Sequence, residues 1–228
     1  MLHKIKDDAI FIADSHYNRQ RIEFEVFIDN ILDGKIITSE LFLMGDMFDF
    51  LSYDVEYFKN INRTVIDKLN RLALKIDIIY LEGNHDFNLD RLFTNILIIP
   101  RDKQPYITQY KDKKIALSHG DIFTPFFYDI FCSIFRNHIF QMGLNKIDFN
   151  NTISQFSESF LIGKKICNSI SKFDSFAQNR LKAYQSYDVD IVIEGHFHQG
   201  KRYKNYINIP SYACDEIYYQ NNISVNLL

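Results

Sequence analysis

Short apolar runs that end in a polar turn recur along this chain, and longer amphipathic stretches separate them. The runs with the length and β-branched content of buried strands are 9–14, 41–45, 77–82 and 190–194. Between the first three, residues 18–32 and 55–74 repeat apolar positions at helical spacing. This alternation predicts an α/β architecture with helices packed on a sheet.

The C-terminal half follows two further patterns. Tyr106–Tyr110 and Lys114–Ser118 predict a hairpin, and Tyr203–Leu228 alternates like a small antiparallel set of strands. Between these regions lies a helical segment with one apolar face and a polar face opposite. The apolar face comprises Phe123, Phe127, Ile130, Phe131, Ile134 and Phe135.

Composition restricts the class of protein. The chain has 228 residues, 24% of them charged and 46% hydrophobic, with a formal net charge of −3, which favours a single soluble globular domain over 1–228. Neither a transmembrane segment nor a signal peptide is expected, and the charge gives no support for nucleic-acid binding. Three well-separated cysteines predict no disulfide framework and a cytoplasmic location, with Cys132 and Cys167 as small apolar fillers.

Glycine and histidine are concentrated in the same places. The chain has 8 glycines, where average usage would give about 16. Four of them, Gly45, Gly83, Gly120 and Gly195, lie directly beside an Asp, Asn or His. Because glycine is scarce here, each of these four is expected where the backbone needs it.

These residues form five polar clusters, each at the end of a predicted strand. The clusters are Asp14-Ser15-His16, Gly45-Asp46-Met47-Phe48-Asp49, Gly83-Asn84-His85-Asp86, His119-Gly120-Asp121 and Gly195-His196-Phe197-His198. A single such histidine is more often structural, but five clusters at converging strand ends predict one shared metal site. Imidazole and oxygen ligands without thiolate suit Mn²⁺, Fe or Zn²⁺.

The five clusters, in this order, resemble the motifs of the calcineurin-like metallophosphoesterases: D-x-H, G-D-x-x-D, G-N-H-D, a histidine before Gly-Asp, and G-H-x-H. The match runs from about Ala9 to Ile217. The resemblance implies a β-sandwich flanked by helices and two divalent ions, Mn²⁺ first. It also implies that Asp46 bridges two ligand sets, which are Asp14, His16 and His198 for one ion and Asn84, His119 and His196 for the other.

The same resemblance makes Asp46 and His85 the catalytic residues. Two cations about 3.5–4 Å apart can activate water and clamp the phosphoryl oxygens, while the family's equivalent of His85 contacts the phosphate or protonates the leaving oxygen. Asp86 is expected either to orient His85 or to cap a helix. Asp49 is expected to be a structural acceptor in its loop, and Asp121 either to support His119 or to occupy a turn.

Spacing indicates an insertion. His119 and His196 are 77 residues apart, against 32 to 38 between the other successive motifs, so a helical cap insertion is predicted at about 122–183. Its apolar face is expected either to pack on the core or to accept acyl chains or a membrane surface. From Ile130 to Lys182 there are seven Lys or Arg and three Asp or Glu, which would suit an anionic lipid.

A capped architecture of this length resembles the UDP-2,3-diacylglucosamine hydrolases of lipid A synthesis, whose commonest form has Arg where this chain has His85. The resemblance implies a lipid-linked nucleotide diphosphate as substrate, cleaved to UMP and diacylglucosamine 1-phosphate at the cytoplasmic face of the inner membrane. The expected substrate contacts are Asn84, His85, Phe127, Phe131, Phe135, Lys164 and Lys165. A soluble nucleotide or cyclic-nucleotide phosphodiesterase is the alternative, and a non-catalytic scaffold is a remote one.

Overall fold

Two β-sheets pack face to face and carry helices on their outer faces in the computed structural model, which describes residues 2–220. The strands are β1 His3–Lys4, β2 Ile10–Ile12, β3 Glu40–Leu43, β4 Leu51–Ser52, β5 Asp77–Leu81, β6 Asp86–Phe87, β7 Leu97–Ile99, β8 Tyr106–Tyr110, β9 Lys113–Ser118, β10 Ile191–Glu194, β11 Lys201–Tyr203, β12 Tyr206–Asn208 and β13 Tyr219–Gln220. The helices are α1 Glu23–Leu32, α2 Glu56–Ile61, α3 Arg63–Leu72, α4 Phe126–Phe135, α5 His138–Ile147, α6 Thr152–Gly163, α7 Phe173–Ala183 and α8 Tyr212–Asp215.

Parallel pairing brings the polar strand ends to one edge of each sheet. The five-stranded sheet has the order β13-β2-β3-β5-β7, with β2, β3, β5 and β7 parallel, and the six-stranded sheet has the order β1-β8-β9-β10-β12-β11, with β9, β10 and β12 parallel. Strands β4 and β6 form a separate parallel pair. Since the carboxyl ends of parallel strands share an edge, the loops after β2, β3 and β5 converge, as do those after β9 and β10.

The central strands β2 and β3 of the five-stranded sheet are buried on both faces. In β2, Ile10 and Ile12 point to the helix side, whereas Phe11 packs toward the other sheet against Ile115 and Leu117. Such continuous apolar runs are typical of parallel strands covered on both sides. The helices α1 and α3 cover the outer face of this sheet, and α7 covers the outer face of the six-stranded sheet. The predicted α/β class and the sandwich flanked by helices are confirmed.

Two predicted helices differ from the observed ones for local reasons. The helix expected from Asn18 begins at Glu23, because the Asn18 side chain accepts hydrogen bonds from the backbone N–H groups of Gln20 and Arg21 and forms a turn. The helix expected over 55–74 is two helices, α2 and α3, which meet at Asn62. The Asn62 side chain bonds the carbonyl of Phe50 at this break.

The predicted C-terminal strands are present only in part. The hairpin of β11 and β12 is antiparallel and β13 pairs antiparallel with β2, but α8 intervenes, and β12 also pairs parallel with β10. The remainder of that prediction, 221–228, lies outside the described residues.

Four helices fall within the predicted insertion at 122–183, and they are placed differently. The fourth, α7, packs on the six-stranded sheet. We call the other three, α4 to α6 (residues 126–163), the cap. The cap is joined to the loops beneath it by side-chain hydrogen bonds, including Gln141 to Ser52 and Glu158 to Tyr57. Among residues 2–220, no helix is long and apolar enough to cross a membrane.

Candidate metal centre

The five polar clusters meet at the shared carboxyl edge of the two sheets. Their imidazole nitrogens and carboxylate oxygens form three groups in which the candidate ligand atoms all lie within 4.8 Å of one another. These groups are Asp14 with His16 and His198, His16 with Asp46 and His85, and Asp46 with His119 and His196. The first contains the three residues of one expected ligand set, the third contains His119 and His196 of the other set, and Asp46 is shared between the second and the third.

The backbone of this edge is held in an unusual conformation. Asp14, His16, Asp46, His196 and His198 all have positive φ, between 44° and 63°. A non-glycine residue in the left-handed region costs on the order of 1–3 kcal/mol, and such residues cluster at functional sites. The backbone of these loops is therefore destabilising, and it brings these five side chains together at one edge.

Two glycines are required because a side chain at either position would collide with Asp46 or His119. A Cβ at Gly83 would lie 2.2 Å from Oδ1 of Asp46, and a Cβ at Gly45 would lie 2.4 Å from Nδ1 of His119. Gly45 also has a φ of 91°, which other residues rarely adopt. The concentration of glycine beside histidine thus reflects close packing around the ligands.

The group around Asp14 has the features of a cation site. Oδ1 of Asp14 and both ring nitrogens of His16 are buried without a hydrogen-bond partner, although buried polar atoms are normally paired. Burial lowers the pKa of His16, so its ring stays neutral and keeps a lone pair for a metal. Nε2 of His198 lies 3.2 Å from Oδ1 of Asp14. A divalent ion would satisfy these atoms together.

The group around His119 converges in the same way. Nε2 of His119 lies 3.3 Å from Oδ1 of Asn84, 3.4 Å from Oδ2 of Asp46 and 3.1 Å from Nδ1 of His196. Burial lowers the pKa of His196 to about 4. Burial opposes a charged His119 as well, but the Asp46 carboxylate outweighs it and raises the pKa of His119 well above its usual value. A proton and a metal ion would compete for the lone pair on Nε2 of His119.

His85 is held beside the bridging carboxylate. Its backbone N–H donates to Oδ1 of Asp46 at 2.8 Å, and its Nδ1 donates to the carbonyl of Asp49 at 2.6 Å. Because a carbonyl can only accept, the proton of a neutral ring is on Nδ1. Nε2 is consequently the nitrogen that can exchange a proton with a substrate.

Asp86 has a different role from either one expected. It neither orients the His85 ring nor caps a helix: its carboxylate accepts from the backbone N–H groups of Asp46, Met47 and Gly83 and from the hydroxyl of Tyr80. Burial and the nearby Asp46 raise the pKa of Asp86 to about 7. The residue fixes the loop that carries Asp46, and the sequence interpretation was wrong because the contacts with Asp46 and Met47 come from another loop.

The expectation for Asp49 is confirmed, because its carboxylate accepts hydrogen bonds from Asn18 and Arg21. Asp121 pairs with Arg101 at 3.0 Å, whereas the ring of His119 meets the carbonyl of Met44 and the amide oxygen of Asn84. The expectation that Asp121 supports the His119 ring is therefore wrong.

Sequence patterns missed a buried ion pair beneath the histidine loops. Glu194, which precedes Gly195-His196, accepts from the guanidinium of Arg180 and from the hydroxyls of Tyr184 and Tyr206. Arg180 also donates to the carbonyl of Gly120, the residue after His119. The pair links two ligand loops, and only its interruption of an apolar strand at Glu194 could have indicated it.

An apolar chamber of about 430 Å³ opens between this edge and the cap. Among the expected substrate contacts, Asn84, His85, Phe131 and Phe135 line it. Phe127 is 84% exposed and does not belong to the lining, and Lys164 and Lys165 are exposed on the connection after α6.

The alternative in which the apolar helix face packs on the protein core is wrong. In α4, Ile130, Phe131 and Ile134 are also exposed, at 41%, 61% and 52%. The positive charge of the segment is smaller than its composition indicates, because Arg136 and Arg180 pair with Glu82 and Glu194 outside it.

The cysteines differ from expectation. Cys132 is buried and free, as expected of an apolar filler. Cys167, however, is exposed and forms a disulfide with Cys214. The pair is 47 residues apart in sequence, and only the folding of the α6–α7 connection against α8 brings the two residues together, so spacing could not indicate it.

Comparison with known proteins gives one family. The sequence matches the family described as Calcineurin-like phosphoesterase over residues 9–200. It is similar to a protein of Histophilus somni (strain 129Pt) named UDP-2,3-diacylglucosamine hydrolase, with 27% identity over 209 residues and 86% of each chain covered. A protein of Aromatoleum aromaticum with the same name is 29% identical over 119 residues, 50% of this chain and 47% of its own. A solved structure of YfcE, a phosphoesterase from E. coli, covers 52% of this chain and 60% of its own, with 20% identity and a TM-score of 0.35.

Proposed function

Because the chain belongs to the calcineurin-like phosphoesterase family and is a metal-dependent phosphoester hydrolase, we propose that its substrate is UDP-2,3-diacylglucosamine. The reaction would cleave the pyrophosphate to UMP and 2,3-diacylglucosamine 1-phosphate. The observation that carries the proposal is the apolar chamber beside Asn84 and His85, since a soluble nucleotide has no group that would occupy it.

The proposal assigns the ligands as two sets that share one carboxylate. Asp14, His16 and His198 would hold one divalent ion, Asn84, His119 and His196 the other, and Asp46 would bridge them. Mn²⁺ suits these nitrogen and oxygen donors, with Fe or Zn²⁺ as alternatives. When bound, the two ions polarise the phosphoryl oxygens and lower the pKa of the attacking water.

His85 would act on the leaving group. Its Nδ1 is fixed on the carbonyl of Asp49, so a protonated ring would present the Nε2 proton to the oxygen that leaves with the sugar phosphate or with UMP. General acid catalysis of this kind contributes about 10²–10⁴-fold. The orientation through Asp49 supports this role because it leaves the ring one position for proton transfer.

The chamber would receive the acyl chains. Phe131, Phe135, Phe156 and Phe160 line it together with Leu161, and burying a CH₂ group there is worth about 0.8 kcal/mol. Lys164 and Lys165 would meet the phosphates or an anionic lipid surface. Exposed apolar side chains on the cap, Phe126, Phe127 and Phe149 among them, would contact the inner membrane at its cytoplasmic face, where such a substrate resides.

Turnover of substrates with and without long acyl chains tests the proposal. UMP release should be at least about 100-fold more efficient, as kcat/KM, with UDP-2,3-diacylglucosamine than with UDP-N-acetylglucosamine, since four buried CH₂ groups already supply about 3 kcal/mol. An aryl phosphodiester reports the phosphoesterase chemistry without the chains. Equal efficiency with and without acyl chains would refute the lipid substrate and favour a soluble nucleotide phosphodiesterase.

A further inference from the structure

We call the carboxyl edge of the two sheets, where the five polar clusters meet, the metal edge. The connection between α6 and α7, residues 164–172, has no regular secondary structure and contacts this edge at His198. Two kinds of contact fix it there. The backbone N–H of Ile170 donates to the side chain of Gln199, which in turn donates to the carbonyl of Asn168. The disulfide joins Cys167 to Cys214 on α8. The covalent link is the stronger of the two, and it lies on the exposed side of the connection.

This connection orients one proposed metal ligand. Nδ1 of His198 donates to the carbonyl of Ile166 at 2.8 Å, and Nε2 of the same ring lies 3.2 Å from Oδ1 of Asp14. Donation from Nδ1 fixes the tautomer that leaves a lone pair on Nε2. Partners of this kind set the direction and basicity of a histidine ligand, and losing one typically weakens metal binding about 10–100-fold.

The other end of the disulfide, Cys214, lies on a helix that is bonded to Asp14, which belongs to the same proposed ligand set as His198. Residues at the start of α8 form hydrogen bonds with the backbone at Asp14. Tyr212 N–H donates to the carbonyl of Ala13, and Ala213 N–H and the Ser211 hydroxyl both donate to the carbonyl of Asp14. The disulfide therefore spans from the residue next to Ile166 to the helix that holds Asp14.

We propose that Cys167 and Cys214 are a redox-sensitive positioning pair: the disulfide holds the Ile166 carbonyl on His198, and its reduction weakens the ion bound by Asp14, His16 and His198. The proposal rests on the ligand assignment of the proposed function. In the reduced protein the Ile166 carbonyl is held only through non-covalent contacts, so His198 loses its fixed orientation for part of the time.

The second ligand set is held independently, which makes the effect selective. Nδ1 of His119 bonds the carbonyl of Met44 at 3.0 Å, inside the fold, and the loop of Asp46 is fixed by Asp86. Neither contact involves the α6–α7 connection. Reduction should weaken one ion and leave the other unchanged.

The redox step is a thiol–disulfide exchange with a dithiol. The sulfur–sulfur bond between Cys167 and Cys214 breaks, the dithiol closes to its own disulfide and supplies two electrons, and its two protons end on the two cysteines. Exposed disulfides exchange more readily than buried ones. In a reducing compartment, where disulfides are rare and mostly regulatory, such a pair would make metal loading depend on the local thiol balance.

Manganese titration of oxidised and reduced protein tests the pair. Apo protein is reduced with dithiothreitol, desalted without oxygen and titrated with Mn²⁺, with electron paramagnetic resonance to distinguish paired from single ions. Alkylation and intact mass count the free thiols. The oxidised protein should bind two ions and show one free thiol, Cys132. The reduced protein should show three, with one ion bound about 10–100-fold more weakly and a single-ion spectrum at limiting metal.

Cysteine variants separate the effect of losing the disulfide from other effects of the reductant. Cys167→Ala with Cys214→Ala should behave like the reduced protein whether or not dithiothreitol is added, while Cys132→Ala should keep the redox dependence. Equal affinities in both redox states, an equal loss at both ions, or three free thiols after oxidation would each overturn the positioning pair. If oxidised wild type binds no second ion, the proposed metal site itself fails, and that result is visible before any comparison of redox states.

Discussion

The metal edge and the cap lie side by side but are held by opposite kinds of interaction. The metal edge is fixed by its backbone: five candidate ligand residues have positive φ, and the Asp86 carboxylate accepts the backbone N–H groups of Asp46 and Met47. The cap is joined through side chains, such as Gln141 on Ser52 and His138 on Asp54. Its outer surface leaves Phe127 and Phe149 more than 80% exposed.

Under the proposed function, this difference divides substrate recognition between the two regions. A phosphoryl group has one geometry, and ligands that cannot move suit it. Acyl chains have many conformations, and an apolar chamber recognises them by burial, without directional bonds. Substitutions at the metal edge should therefore remove activity on every substrate, while those in the cap should affect only acylated ones.

The largest effect is expected for Asp46→Ala, which removes the carboxylate common to two ligand groups. Hydrolysis of both UDP-diacylglucosamine and an aryl phosphodiester should fall by about 10³-fold or more, since metal stabilisation of the transition state is worth several kcal/mol. Metal content should fall as well. Asp102→Ala, at an exposed carboxylate, is the control. Activity within twofold of wild type in the Asp46 variant would refute the shared site.

His85→Ala should lower turnover of both substrates about 10²–10³-fold while two ions remain bound, because the ring is proposed to transfer a proton and not to hold metal. Elemental analysis beside steady-state kinetics measures both quantities. His85 also belongs to a group of candidate ligands with His16 and Asp46. Loss of one ion from this variant would show that the ring is a ligand.

Phe131→Ala and Phe127→Ala separate the chamber from the rest of the cap. Both residues are on α4, but only Phe131 lines the chamber. Losing its ring should lower kcat/KM for UDP-diacylglucosamine about 10–100-fold, since bound acyl chains would cover the exposed ring and burying a Phe side chain contributes about 1.5–3 kcal/mol. Neither variant should change aryl phosphodiester hydrolysis. An equal loss of kcat/KM in both variants, in detergent, would remove the distinction between the chamber and the cap surface.

The same division explains what the sequence could predict. Each of five residues lies within three positions of a strand end: Asp14, Asp46, Asn84, His119 and His196. Because parallel strand ends share an edge, local patterns were enough to bring them together. The left-handed backbone that accompanies them was not visible, and only the scarcity of glycine hinted at it.

Contacts between distant segments could not be predicted. Asp86 receives two of its hydrogen-bond donors from the Asp46 loop, Arg180 reaches Glu194 from a different element, and Cys167 meets Cys214 only after folding. The cap shows the same limit on one helix. Helical periodicity placed Phe127 and Phe131 on a single apolar face, but which of them meets the chamber depends on how α4 lies over the metal edge.

The smallest effect is expected at the outer surface of the cap. Phe126 and Phe149 are 72% and 81% exposed, and partial burial of each ring in a membrane surface would contribute about 0.7 kcal/mol. Phe126→Ser with Phe149→Ser should therefore reduce binding to vesicles of phosphatidylglycerol and phosphatidylethanolamine by about tenfold, measured by sedimentation. Activity on detergent-dispersed substrate should not change.

Leu74→Ser is the matched control for this surface, because Leu74 is 74% exposed but lies outside the cap. Its vesicle binding should equal that of wild type. If the Leu74 variant loses as much binding as the double variant, association is a general property of exposed apolar residues. The cap would then serve the substrate alone, and its contrast with the metal edge would be confined to the chamber.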